Sequence, residues 1–453
     1  MFKKIISAVI AITMVMGMCS CSEQASSQLT AAPTPSIVTR PQPSEPEPPA
    51  VTVGGNALQP TANYSFAPAS KNEEITNEFA QGMNSFSVEL FKQSVRQDLE
   101  QGKNTLVSPE SVAFALGMTA NGANENTLKQ MQEVLCKGVS MEDFNKNMHL
   151  LISDAHNNNT ENSKLNIANS IWLKDMKGLT LTESFARTCK EQFNAEMFKA
   201  PFDEGTVENI NSWVNEKTDK MIPKILEKLD PDTRAVLVNC IAFDAKWAVP
   251  YEDDQIEENS SFTNASGKKI DCTMLCSTEK SFVSGEHETG FVKTYSGGKY
   301  AFMAILPNEG TSISEYVSSL TADSFAKLYK SRTGRYEVIT RTPQFKYDYD
   351  ITLNKALSDM GMEEAFTMNA DFSNMTGDKS LYIGSVLHKT HIELDAKGTK
   401  AAAATVVTMD AKCALEETEA KRVYLDRPFA YAIMDTETGL PVFMGTMCDP
   451  SVQ

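Results

Sequence analysis

The chain has 453 residues, 41% hydrophobic and 22% charged, a balance that excludes a disordered, collagen-like or polytopic membrane protein. Its 42 basic and 59 acidic residues leave a formal charge of −17, which argues against nucleic acid as a partner, because phosphate binding needs clustered Lys and Arg.

The N-terminus opens with Lys3 and Lys4, then an uncharged apolar run from Ile5 to Met18, then Cys19-Ser20-Cys21. This is the grammar of a leader peptide, and the run is too short for a comfortable membrane span. Met18-Cys19-Ser20-Cys21 resembles a bacterial lipoprotein processing site, with Cys21 as the lipid-modified residue because small Ser20 precedes it. Met18 and Cys19 depart from the usual site, so plain secretion is the alternative. Either way the expected location is extracytoplasmic, as a membrane-anchored lipoprotein on the cell surface or as a secreted protein.

Residues 22–70 hold nine prolines among Ser, Thr and Ala, with almost no aliphatic periodicity. Such a stretch buries no core and serves as a spacer reaching from roughly 40 to 150 Å. The folded domain is expected over 71–453. Seven cysteines remain beyond the leader, an odd number at irregular spacing, which is no disulfide framework. Most read as small buried hydrophobes.

The domain begins with Phe79, Met83, Phe86, Leu90 and Phe91, an amphipathic helical stripe continued by Val95 and Leu99. Gly102 and Lys103-Asn104 end that helix, and Ser108-Pro109 starts another, since Pro is tolerated in a first turn. Later segments alternate with period two, as in 235–239 and 300–306. Long helices first, mixed elements in the middle and strands to the end predict an α+β fold with large, mostly antiparallel sheets.

Catalytic signatures are scarce: there is no G-x-S-x-G, phosphate-binding glycine loop, G-x-G-x-x-G or H-E-x-x-H. His388 and His391 lie three apart on an expected strand and face opposite ways, which makes them poor joint metal ligands. The informative segment runs from Asp395 to Lys412. Its alanines favour a helix by propensity. By period two, however, Thr399, Ala401, Ala403, Thr405, Val407 and Met409 share an uncharged face, while Lys400 and Asp410 fall on the other. Small residues on one face are what a strand needs to slide beneath covering structure; an exposed Ala-rich loop is the plainer reading.

Gly398-Thr399, followed by Ala401, Ala402, Ala403, Ala404 and Thr405, resembles the hinge of the serpin reactive-centre loop. Asp426-Arg427-Pro428-Phe429 and Phe443-Met444-Gly445 are similar to the serpin C-terminal signature. Further motifs in family order, among them Leu165–Trp172, Val236–Asn239 with Lys246-Trp247, and Ala370–Ser373, extend the resemblance over about residues 75–450.

The resemblance implies a serpin fold with an exposed loop. It also implies a suicide-substrate inhibitor of serine proteases in which the cut loop inserts into the main sheet with the protease covalently attached. The nucleophile is the protease's, so the chain is no enzyme; the resemblance implies no cofactor, no metal and a monomer. Ser108, Ser111, Asn239 and His388 match the polar shutter cluster beneath the main sheet, and Trp247 the breach tryptophan where the loop enters. Counting on from Gly398 by the family's usual spacing places the reactive bond at Lys412-Cys413, which implies trypsin-like targets. Ala411 or Cys413 as the reactive residue implies elastase-like ones. Inhibitory members usually carry Glu at the positions of Ala396 and Lys400. These departures keep a non-inhibitory binding or carrier serpin as the alternative, and an envelope structural protein using the fold as a remoter one.

Overall fold

Helix α1 (Asn77–Glu100) buries Phe79, Met83, Phe86, Leu90 and Phe91, so the stripe that predicts it is the face that holds it. The Thr76 side chain caps its start by accepting from the Phe79 N–H. The computed structural model describes the backbone of residues 9–12, and residues 64–452 apart from 71, 231 and 400–418. Helix α2 (Pro109–Ala120) starts on the Ser108 cap with Pro at its first position, and every one of its residues is buried. It is the central helix of the molecule, beneath the main sheet. The other helices are α3 (Glu125–Leu135), α4 (Met141–Asn158), α5 (Glu183–Phe193), α6 (Glu204–Lys217), α7 (Ile313–Ser319), α8 (Ala322–Lys330), α9 (Asn354–Asp359) and α10 (Ser373–Thr376).

Three sheets complete the α+β architecture, with antiparallel pairs dominating. In the main sheet β12 (Phe345–Thr352) pairs with β13 (Val386–Leu394), while β5 (Ala235–Lys246) pairs with β3 (Ser163–Lys174), which pairs in parallel with β4 (Glu196–Ala200). Between β13 and β5 lies a one-strand opening. Its upper end holds β14 (Gly398–Thr399), and lower down it holds β1 (Val9–Ile12), which pairs antiparallel with both neighbours.

The second sheet is β2 (Thr105–Val107), β17 (Pro441–Met447), β16 (Phe429–Asp435), β10 (Tyr300–Pro307), β9 (Glu288–Thr294) and β8 (Phe282–Ser284), in that order. The third is β15 (Ala420–Tyr424), β11 (Glu337–Pro343), β7 (Lys269–Glu279) and β6 (Ile256–Thr263), with β15 parallel to β11.

The large core fills the space between the sheets and helices α1 and α2. A separate apolar cluster lies on the outer face of the main sheet, where Ile210, Trp213 and Val214 of α6 cover Val236, Val238 and Cys240 of β5. Burying Ile210 and Val214 contributes about 2 kcal/mol each, enough to hold α6 down over the strands.

The packed part begins before residue 71. The Ala69 N–H donates to Ser153 Oγ, Phe66 rests against the His149 ring of α4, and the Tyr64 hydroxyl donates to Glu183 of α5. The composition of 22–70 hides this, because the packing uses two aromatic rings spaced too irregularly to register as a periodic element. Four of the free cysteines, Cys136, Cys189, Cys240 and Cys448, are buried.

Candidate functional site

The site is built where β13 turns into β14. The Asp395 carboxylate accepts from the Lys397 N–H (2.7 Å) and the Gly398 N–H (3.0 Å), and the Asp395 N–H closes the turn on the Gly398 carbonyl. A Cβ on Gly398 would sit 2.3 Å from the Ala245 carbonyl oxygen, so only glycine lets the chain enter this close to β5. Thr399 then pairs with Ala245 on one side and Leu394 on the other, and is buried. The hinge is therefore not wholly an exposed loop: its first residues already occupy the main sheet.

Aromatic residues hold this turn. Trp247 donates its backbone N–H to the Lys397 carbonyl and its indole Nε1–H to the Asp395 carbonyl, each at 2.9 Å. The Tyr251 N–H donates to the Ala396 carbonyl. Tyr295 stacks on Trp247 at 4.4 Å between ring centroids, and its hydroxyl lies 2.7 Å from the Thr399 hydroxyl.

Below, a polar cluster joins α2 to the strands on both sides of the opening. The Ser108 N–H donates to His388 Nε2 of β13, and Ser108 Oγ donates to the Val442 carbonyl of β17. Ser111 Oγ donates to Asn239 Oδ1 of β5, and Asn239 Nδ2 donates to Asn169 Oδ1 of β3. Each of these side chains is buried, so the hydrogen bonds are what make the polar groups tolerable there. Burial pushes the His388 imidazole down to about 3, which keeps it neutral and able to accept from Ser108.

Residues 81–450 match the family model for the serpins, the serine protease inhibitors. The chain is a serpin. The crystal structure of the thermophilic serpin tengpin in its native state is similar over 87% of this chain and all of that one, at 39% identity and a TM-score of 0.78. Iripin-1 of Ixodes ricinus is 30% identical over 365 residues, covering 76% of this chain and 88% of that protein. Thyroxine-binding globulin in complex with thyroxine is similar over 82% of this chain and 99% of that one, at 26% identity and a TM-score of 0.70.

In this serpin the sequence-derived residues fall into three groups. Ser108, Ser111, Asn239 and His388 form one connected cluster, and Trp247, Gly398 and Thr399 form the loop entry. Ala401, Ala402, Ala403, Ala404, Thr405, Ala411, Lys412, Cys413 and Cys21 lie outside the described residues. Motif reading missed Asn169, Tyr251 and Tyr295. Asn169 carried a signal, the polar pair Asn169-Ser170 inside the otherwise apolar run Ile167–Leu173; the tyrosines carried none, since their role arises from contacts far along the chain.

Proposed function

We propose that this serpin inhibits serine proteases as a suicide substrate, the cleaved reactive loop inserting as a new strand between β13 and β5. The observation that carries the reading is the register of the hinge. Gly398 faces Lys246 and Thr399 faces Ala245, with the chain running antiparallel to β5. Counting on in that register, an inserted loop would set residues 404–407 against Cys240 down to Leu237, which is the row that Val9–Ile12 fill, in the same chain direction. The opening thus accepts one extended strand bonded on both sides, and the residues that share the Thr399 face, Ala401, Ala403 and Thr405, are small. Cleavage of the leader between Ser20 and Cys21 removes 9–12 and leaves the row to the loop. The shutter side chains beneath it are hydrogen-bonded groups that must part and re-form, so the uncut state is one of kinetic stability.

The reactive bond is Lys412-Cys413, which suits proteases with a carboxylate in the specificity pocket, with Ala411 serving small apolar pockets. The mature protein is an extracytoplasmic monomer tethered through lipid on Cys21. A carrier serpin is the second reading, favoured by the uncharged Ala396 and by Lys400 where inhibitory members usually have Glu. Mixing the protein with trypsin-like and elastase-like serine proteases and running a denaturing gel tests the proposal. A band at the combined mass is expected; cleavage of the loop with no such band, for every protease tried, overturns it in favour of the carrier.

A further inference from the structure

We infer that Lys293 is a positioning residue for loop insertion: its ion pair with Glu279 braces the aromatic platform that holds the hinge. The inference rests on the inhibitor reading for its consequence, though not for its geometry. Lys293 lies on β9, in the second sheet, and Glu279 ends β7, in the third. Their side chains meet at 2.7 Å while only 5% and 14% exposed. A lysine near a sheet end ordinarily runs its stem out so that the ammonium reaches water. Here the ammonium is sealed in, with a carboxylate on one side and rings on the others: it lies 4.3 Å from the Tyr251 ring centroid and 5.5 Å from that of Trp247. Glu279 is fixed in turn by Ser277, whose hydroxyl donates to it at 2.6 Å.

Those two rings belong to the residues that grip the hinge. Trp247 and Tyr251 between them donate three hydrogen bonds to the carbonyls of Asp395, Ala396 and Lys397. The Trp247 ring also stacks on Tyr295, which bonds Thr399. The hinge itself adds no charge to this platform: Ala396 stands where inhibitory relatives usually carry Glu, Lys397 is exposed, and the Asp395 carboxylate is turned into its own turn. In this chain the charge pair of the loop entry is placed behind the aromatic platform, joining the second and third sheets to it. A cation held on a desolvated ring face fixes the ring's tilt as well as its position, and the tilt of Trp247 sets where its indole N–H points.

The experiment uses the full folded domain and peptide-level hydrogen exchange. The variants are Lys293→Met, the double variant Lys293→Met with Glu279→Gln, and Lys293→Arg. Removing both charges avoids leaving a carboxylate buried without a partner, so the double variant tests the brace even where the single one unfolds. The peptide spanning 246–252 is expected to exchange about tenfold faster in the Met variants, the equivalent of about 1.4 kcal/mol of local opening, with the strand peptide 236–241 unchanged. Lys293→Arg is expected to restore protection, since it keeps both the pair and the ring contact.

The Met variants are also expected to need about three times more inhibitor per protease trapped, with the rate of first encounter unchanged, because a loosened hinge inserts late and more loops are cut without trapping. Unchanged exchange over 246–252 in the double variant, or equal acceleration over 236–241, overturns the inference. So does an Arg variant that behaves like Met. Failure of the unmodified protein to trap any protease would defeat the inhibitor reading and leave the exchange result standing.

Discussion

Thr399→Arg places the mechanical argument under the sharpest strain. Thr399 is 4% exposed, paired to strands on both sides, with its hydroxyl against that of Tyr295. Losing that hydrogen bond costs about 1 kcal/mol. Burying an unpaired guanidinium costs several kcal/mol more, and among the described residues the side-chain partner of Thr399 is the Tyr295 hydroxyl, which carries no charge to receive it. The hinge will therefore leave the sheet rather than carry the charge in. The fold survives, because only the two-residue β14 is lost. Insertion after cleavage, however, must pass through the same row. Raising that barrier by about 3 kcal/mol slows it about 100-fold. Trapping competes with deacylation, so a delay of that size converts inhibitor into substrate. Titrating residual protease activity against added serpin, with a denaturing gel in parallel, reads the outcome: loop cleavage at an ordinary rate and almost no complex. Covalent complexes formed by Thr399→Arg at wild-type stoichiometry would refute the insertion argument for this chain.

Lys412→Ala is expected to abolish inhibition of trypsin-like proteases and to spare or improve that of elastase-like ones; mass spectrometry of the fragment released from the complex must show it beginning at Cys413, and any other start rejects that bond. Cys21→Ser is expected to move the protein from the membrane fraction to the soluble one with inhibition intact, and continued membrane association of the variant would rule out Cys21 as the anchor. Glu110, buried on the first turn of α2, has its carboxyl pushed up to about 8 by burial and by the neighbouring Asp435. The native state then holds a proton that the unfolded chain releases near 4.5, so stability falls as pH rises from about 5 to 8. Glu110→Gln cannot ionise. Its melting midpoint is expected to gain on the wild type across that window, and parallel curves would show that Glu110 does not titrate as argued.

The helices and long strands were legible because their signals are local. The α1 stripe, the Ser108-Pro109 start of α2 and the period-two runs of β5 and β10 need only a few consecutive residues to show themselves, and the structure forms each of them. The division of the strands into three sheets, and the one-strand opening between β13 and β5, show in no run of residues, since flanking residues such as Leu237 and Val386 are far apart in sequence; the family resemblance implied only large sheets and insertion of the loop into the main one. The loop entry was half legible. Gly398 and Trp247 stand in motifs, whereas Tyr251, Lys293 and Glu279 act through contacts between different sheets and leave no spacing to read. Asn169 lies in a quoted motif, yet its bond to Asn239 appears only once β3 and β5 are set side by side.

The claim on which everything else depends is that the main sheet is one strand short and takes up the cleaved loop. Limited proteolysis within residues 400–418, followed by thermal melting of the nicked and intact proteins under identical conditions, measures this directly. A completed backbone ladder between β13 and β5 predicts a large upward shift of the melting midpoint in the nicked protein. A midpoint that stays where it was, with the cut verified by mass spectrometry, would mean that the loop does not insert and that this serpin is not a trap.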